Sequence, residues 1–325
     1  MLINVFGVSM DPLLIGAAVV VVGFLMWLLY FYCRGGWCYS QVRLDGKTVV
    51  ITGANTGIGK ETARDMARRG ARVILACRDV SKGEAAAMEI CKDTGSDNVA
   101  VYKLDLASLA SVRECAEKIH AEETRLDVLI NNAGIMMCPP WKTEEGFEMQ
   151  LGVNHLGHFL LTNLLLDLLR ASAPSRVVIV SSLAHEYGNM RWDDLHMSRK
   201  YNPMLAYTQS KLANVLFMKE LSSRLEGSGV GVFALHPGTV MTELTRYTLQ
   251  ALSFPVGLLF TASTYRLSGL VMKTSVEGAQ TSIHCSVAEE LEGKTGLYFS
   301  DCAPRKPHRL AQEKDATRRL WELSA

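Results

Sequence analysis

The chain has 325 residues, 48% of them hydrophobic and 21% charged, a balance suited to a folded protein and not to a disordered one. A formal net charge of +1, with no run of Lys and Arg, excludes the basic stripe of a nucleic-acid binder. The eight cysteines are scattered, with no C-x-x-C pair and no His at metal spacing, which points to reduced cytosolic thiols instead of a disulfide framework.

Residues 13–32, LLIGAAVVVVGFLMWLLYFY, carry no charge. Twenty helical residues reach about 30 Å, the thickness of a bilayer core. No Lys or Arg precedes the run and no A-x-A site follows it, against a cleaved signal peptide. Trp27, Tyr30, Phe31, Tyr32 and Trp37 gather at its C-terminal end like an interfacial belt. The expectation is an uncleaved membrane anchor over 1–40; a buried core helix is the competing reading. Asp11 lies before the run and Arg34, Arg43 and Lys47 after it, so the positive-inside rule puts residues 34–325 in the cytosol. Cys33 and Cys38 stand where acylation occurs, or are plain interfacial thiols. Residues 41–325 suit a single α/β domain.

Residues 46–79, GKTVVITGANTGIGKETARDMARRGARVILACRD, read as strand, glycine turn, helix and strand. Val49–Ile51 fits a buried parallel strand, and Ala63, Met66 and Ala67 recur at helical spacing. The turn Gly53, Ala54, Asn55, Thr56, Gly57, Ile58 and Gly59 lets backbone N–H groups approach a pyrophosphate at a helix N-terminus. An acid at the end of the second strand would bind a ribose diol and indicate NAD. Cys77 stands there and Arg78 follows, which suits a 2′-phosphate and NADP(H), unless Arg78 simply caps an exposed turn.

Strands are expected at 99–105, 126–134, 175–182, 229–235 and 296–299, with helices at 108–123, 146–172 and 205–226. That alternation predicts a doubly wound parallel sheet covered on both faces. Ligands on such sheets sit beyond the carboxyl ends of the strands. Asp105, Asn131–Gly134 (with Asn132), Ser181–Ser182 and Pro237–Gly238 would then meet in one crevice.

Tyr207 and Lys211 stand four apart and share a helix face. A free phenol is a poor base at neutral pH, and a neighbouring ammonium lowers its pKa. Such a pair passes a proton to or from a carbonyl oxygen. His155 and His158 read as core histidines, Asp127 as structural, and His236 as a residue that shapes its loop.

TGANTGIG (52–59), NNAG (131–134), VNHLGHF (153–159), VSSLAH (180–185), YTQSK (207–211) and HPGTVMT (236–242) together resemble the motif set of the short-chain dehydrogenase/reductase family, in order, over roughly residues 44–300. ILACRD, DLASLASVRE and GFEMQLGVNHLGHFLLTNLLL are most similar to its retinol dehydrogenase branch, as is the N-terminal run. Ser182 and Tyr207 stand 25 apart, and the charged, Trp-bearing insert between them (185–202) is similar to one that this branch carries.

The resemblance implies a Rossmann-type sheet behind a transmembrane helix and an NADP(H)-dependent oxidoreductase acting on CH–OH donors. It makes Tyr207 the general acid/base, with Lys211 lowering its pKa and holding the nicotinamide ribose. Ser182 would bind the substrate oxygen, Asn154 would hold a relay water, and Thr242 would reach the nicotinamide carboxamide. Asp105, Asn132 and Pro237 join the cofactor set. The implied substrate is lipophilic, retinal or retinol, with lipid-peroxidation aldehydes and steroid ketones as alternatives. A non-catalytic NADP-binding membrane scaffold is the reading of another class. Residues 243–276, rich in Leu, Phe and Val, read as an apolar lid or as ordinary packing at the domain edge. The tail, EKDATRRLWELSA, reads as a charged amphipathic helix on the surface. The implied location is the endoplasmic reticulum membrane, with mitochondria an alternative; the oligomeric state stays open, a homodimer among its options.

Overall fold

The computed structural model describes residues 34–240, 244 and 272–325, together with 3–5, 8–10, 13, 16–18, 20–24 and 27. The catalytic-size portion opens with β1 (Thr48–Thr52), α1 (Gly57–Arg68), β2 (Arg72–Cys77), α2 (Val80–Thr94), β3 (Val99–Lys103), α3 (Leu109–Glu122) and β4 (Val128–Asn131). It continues through α4 (Met149–Leu151, a π turn Gly152–Leu156, then Gly157–Leu164), α5 (Leu166–Ala171), β5 (Ser175–Val180), α6 (Pro203–Arg224) and β6 (Val230–His236). It closes with α7 (Ser275–Val287), β7 (Leu297–Ser300), β8 (Ala303–Arg305) and α8 (Lys314–Ser324). Ile3–Val5 and Val8–Met10 form a separate antiparallel pair.

The sheet order is β8-β7-β6-β5-β4-β1-β2-β3, parallel except for the antiparallel edge strand β8. Successive strand residues point to opposite faces, and the register sorts them into two rows. Ile74, Val50, Leu129, Val177 and Val232 pair across five strands and all enter the core under α3, α4 and α6. Leu75, Ile51, Ile130, Val178 and Phe233 pair one step on and enter the core under α1, α2 and α7. Each such side chain contributes about 1.5–3 kcal/mol on burial. The chain leaves β1 toward β2 on one side and reaches β4 on the other, so a crevice opens at the strands' C-terminal edge. Asp127, as expected a structural residue, sits at the opposite edge. It accepts the Thr48 N–H at 2.9 Å and pairs with Arg125 and Lys47.

The helix expected over 146–172 is not continuous. Glu148 caps its start by accepting the Gln150 and Leu151 N–H groups, and Leu165 leaves helical backbone. Between them the π turn is bracketed by two glycines. A Cβ on Gly152 would lie 2.3 Å from Thr143 Cγ2, and one on Gly157 would lie 2.8 Å from the Leu106 carbonyl. Widened turns of this kind re-aim side chains at functional sites.

The tail is amphipathic but not merely superficial. Leu320 is 2% exposed and Trp321 meets Phe159 edge-on with centroids 4.9 Å apart. The Arg224 guanidinium lies over the same indole at 4.3 Å, and His155 Nε2 lies 3.0 Å from Ser324 Oγ. A charged surface pattern hid this because the partners come from α4 and α6. Helix α7 and strand β8 were likewise unassigned by sequence.

Upstream, Arg34 pairs with Glu277, the Cys38 N–H donates to Gln280, and Arg69 donates to the Ser40 and Val42 carbonyls. The stretch after the apolar run is thus fastened to α7 and α1, with Cys38 buried. Among the described residues no helix is long and apolar enough to cross a membrane. Described members of the 13–32 run are helical and exposed, and the others lie outside the described residues. Thr242 and most of the expected lid, 243–276, also lie outside them.

Replacing Trp321 by Ala should lower unfolding stability by about 2 kcal/mol, less than a fully buried indole because Trp321 is half-buried. Leu323→Ala, on the exposed side of the same helix, should stay within about 0.5 kcal/mol. Equal effects in denaturant melts would contradict the docking of α8.

Candidate active site

A cleft of about 530 Å³ lies beyond the C-terminal ends of β1 to β6. Its floor at one end is the glycine turn. Gly53 and Gly57 have φ of +65° and +60°, which L side chains adopt at a cost. A Cβ on Gly59 would lie 2.5 Å from the Gly53 carbonyl and from Asn132 Nδ2, so α1 approaches the strand ends only because Gly59 has none. No side chain caps the N-terminus of α1, whose first-turn N–H groups face the cleft beside Asn55, Thr56 and Ile58. Asn132 donates to the Thr52 carbonyl at 2.8 Å and so braces the turn while lining the cleft.

Ala54 departs from expectation: it is fully buried in the core behind the turn and does not line the cleft. Cys77 is also buried, and burial pushes its thiol up to about 11, so it is neutral where an acid would bind a ribose diol. Arg78 lines the cleft with an exposed side chain, and Lys82 joins it from the first turn of α2. Asp79 caps that helix by accepting the Lys82 N–H at 3.1 Å. Sequence reasoning missed Lys82, which sits in the first turn of the helix that follows β2. Asp105 lines the cleft with its carboxylate accepting the Ala107 N–H, and Pro237 lines it from the end of β6.

The other end gathers the proton-handling candidates. Ser182, two residues past the end of β5, faces the cleft, whereas the Ser181 hydroxyl turns inward to donate to the Lys211 carbonyl at 2.7 Å. Tyr207 and Lys211 line the cleft from α6, the Lys211 nitrogen 5.9 Å from the phenol ring centroid. That nitrogen donates to the Val180 carbonyl at 3.2 Å. Burial alone lowers the Lys211 amine to about 8. Burial pushes the Tyr207 phenol up to about 12, against a smaller downward pull from Ser182. The lowering of the phenol by Lys211 that the sequence suggested is not what sets its pKa here.

Asn154 does not line the cleft. It lies in the π turn, fully buried, and accepts the Ile135 N–H at 2.8 Å while donating to the Ile135 carbonyl and Ser210. Its Oδ1 and the Lys211 nitrogen nonetheless converge on Gly134, 3.3 and 3.5 Å from where a Cβ would stand. His236 Nδ1 accepts the Leu183 N–H at 3.0 Å, joining the loops after β5 and β6. Trp141, Met149, Val153, Leu183, Leu244 and Met272 form an apolar wall. They come from far-apart segments, so no local pattern announced them.

The family profile described as short chain dehydrogenase matches residues 47–253. The chain belongs to the short-chain dehydrogenase family. As a member it is an NAD(P)-dependent oxidoreductase. It is 55% identical over 300 residues to human (Homo sapiens) retinol dehydrogenase 13, covering 92% of this chain and 89% of that one. It is 53% identical over 293 residues to mouse (Mus musculus) retinol dehydrogenase 12, covering 90% of each. Among solved structures, an uncharacterized protein from Mycobacterium paratuberculosis superposes with a TM-score of 0.70 at 38% identity, over 89% of this chain and 96% of that one. The NADP active-site complex of Pseudomonas aeruginosa RhlG superposes with a TM-score of 0.61 at 26% identity, over 79% and 95%. The donors of this dehydrogenase's cleft fit such a cofactor: an open helix N-terminus, a turn that side chains do not obstruct, and two cations, Arg78 just after β2 and Lys82 in the first turn of α2.

A lysine whose folded pKa lies below its ordinary value destabilises the fold while it is charged, and the penalty fades as pH rises past the folded pKa toward the unfolded one. Lys211→Met should therefore raise stability at pH 7, by up to about 3 kcal/mol. The gain over wild type should shrink between pH 8 and 10.5 as the native amine sheds its proton. Thermal melts showing no gain at pH 7 would contradict a charged, buried Lys211.

Proposed function

We propose that the protein is an NADPH-dependent reductase of lipophilic aldehydes, retinal foremost, with Tyr207 as the proton donor. One observation carries this most: a buried phenol pushed up to about 12 keeps its proton at neutral pH, beside the Ser182 hydroxyl and the Lys211 cation. Bound in the cleft, NADPH supplies the hydride. Ser182 holds the aldehyde oxygen, Tyr207 gives it a proton, and Lys211 stabilises the phenolate that remains. Asn154, braced by Ile135, holds the path by which that proton is replaced. Arg78 and Lys82 favour a 2′-phosphate, and buried Cys77 offers no carboxylate to a ribose diol. The apolar wall suits a hydrocarbon chain, and the relatives named for retinol set the first substrate to try. Long-chain lipid aldehydes suit the same wall.

The reading extends to the whole chain. Residues 1–40 anchor the protein in the endoplasmic reticulum membrane, 41–325 form the cytosolic catalytic domain, and 243–276 cover the substrate, with Thr242 at the nicotinamide. The uncharged run 13–32 and the fastening of Arg34 and Cys38 to the domain support this arrangement, in which a bilayer-dissolved aldehyde enters without crossing water.

Detergent-solubilised protein should oxidise NADPH with all-trans-retinal or a long-chain aldehyde. Tyr207→Phe should cut kcat by about a thousandfold. The reductive rate should fall as pH climbs through about 8, where Lys211 loses its charge, while Tyr207 keeps its proton to about 12. No turnover with either aldehyde, in protein that binds NADPH, would defeat the assignment; a rate flat to pH 10 would defeat the role given to Lys211.

Replacing Arg78 by Leu should reduce the preference for NADPH over NADH by roughly tenfold to a hundredfold, the worth of a charge-assisted hydrogen bond. Lys82→Met should give a smaller loss in the same direction. An unchanged kcat/KM ratio between the two cofactors in both variants would remove them from the 2′-phosphate site.

A further inference from the structure

His158 lies buried in α4, outside the cleft lining, and both its ring nitrogens are engaged. Nε2 lies 2.8 Å from the Thr52 hydroxyl, and Nδ1 lies 3.1 Å from the Asn154 carbonyl oxygen. The protons assign themselves. Thr52 Oγ1 already accepts the N–H groups of Asn132 and Ala133, each at 2.9 Å. Its own proton has two acceptors in reach, the Ile130 carbonyl at 3.5 Å and His158 Nε2 at 2.8 Å. The shorter contact takes it, so Nε2 is bare and Nδ1 carries the hydrogen that goes to the Asn154 carbonyl. Burial drives the imidazole pKa down to about 3, so the ring is neutral and this tautomer is the only one that satisfies both ends.

The two ends of this bridge belong to different parts of the site. Thr52 is the last residue of β1, and Gly53 of the phosphate turn follows it directly. Asn132, braced on Thr52, is also the side chain that Gly59 packs against. Asn154 sits in the π turn with its Oδ1 facing Gly134 beside the Lys211 nitrogen. The Lys211 charge is felt at His158 itself.

We infer that His158 is a positioning residue that ties the phosphate-binding turn to Asn154, so that one side chain sets both the seat of the cofactor and the proton path beside Lys211. It touches neither cofactor nor substrate. Its two nitrogens face two separate tasks, so the tasks should separate on substitution. The inference rests on the reductase reading above for its kinetic half only.

Four variants test it. In His158→Asn the shorter amide reaches as far as Nδ1 and keeps the donor to Asn154 but loses the acceptor for Thr52. KM for NADPH should rise about tenfold, with a smaller loss in kcat. In His158→Gln the amide reaches as far as Nε2 and keeps the acceptor but loses the donor. Here kcat should fall about tenfold with KM for NADPH close to wild type. Thr52→Val, which keeps the volume but also takes the acceptor from the Asn132 and Ala133 N–H groups, should raise KM for NADPH at least as far as His158→Asn does, and Thr52→Ser should keep the wild-type values. Variants that lose kcat and KM in one common proportion, or a Thr52→Val enzyme with wild-type KM, would overturn the inference while leaving the reductase reading intact. If the wild type reduces no aldehyde, that reading fails, and NADPH fluorescence titration decides the rest. Dissociation constants raised in Thr52→Val and His158→Asn but not in His158→Gln support the bridge, and constants equal across the set overturn it.

Discussion

The Lys211 amine has to stay charged inside a protein core, and much of the molecule is arranged around that one difficulty. Its nitrogen sits in a region where burial alone takes its pKa to about 8, and the acceptor it meets is the Val180 carbonyl at the end of β5. A strand end is one of the few places where a core carbonyl is free to accept from a side chain, because the ladder stops there. Lys211 reaches it from α6, whose central residues from Ala206 to Met218 are buried on all sides. A helix packed that tightly fixes the direction of the lysine and of Tyr207 one turn earlier.

The sheet divides its labour by position along the strands. The middle residues are apolar and face two cores in strict alternation, which sets the register and supplies the stability. The C-terminal residues are polar and spend their hydrogen bonds on one another: Thr52 on Asn132 and His158, Ser181 on Lys211, His236 on Leu183. Buried polar groups rigidify a structure when each has its partner and weaken it when one is missing. The crevice is therefore stiff because its walls are cross-linked, while its cost is met by the apolar rows below.

The same division explains what could be read from the sequence. Parallel strands buried on both faces appear as short apolar runs, so β1 to β7 stood out, within about two residues except at the end of β4, which stops at Asn131 where 134 was expected. The glycine turn and the Tyr207–Lys211 pair were legible because their spacing is local. Other features were not. The helix after β4 looked continuous, since the packing of Gly152 on Thr143 and Gly157 on Leu106 that shapes its π turn is tertiary. The tail looked like a surface helix, since Phe159, Phe217 and Arg224, which receive Trp321, lie far upstream. Ala54 looked like part of the phosphate turn because its neighbours are, yet its side chain is buried in the core behind the turn. Histidines at 155 and 158 read as core residues, and they are buried, but the sequence held no sign of the partners that give His158 its two-sided engagement.

Among the described residues the surroundings of Lys211 are neutral, and that has a chemical reason. Burial holds His155 near 4 and His158 near 3, so neither carries charge at neutral pH, and Asn154, Ser181 and Asn214 are dipoles only. A carboxylate in their place would stabilise the lysine, raise its pKa and satisfy the fold, but it would also cancel the field that the lysine exerts on the phenol. A phenol near 12 gives up its proton readily only if the anion left behind meets an uncompensated cation. Neutral hydrogen-bonding groups hold the lysine in place without neutralising it, and so the instability of a buried cation and the reactivity of the tyrosine are two consequences of the same choice of neighbours.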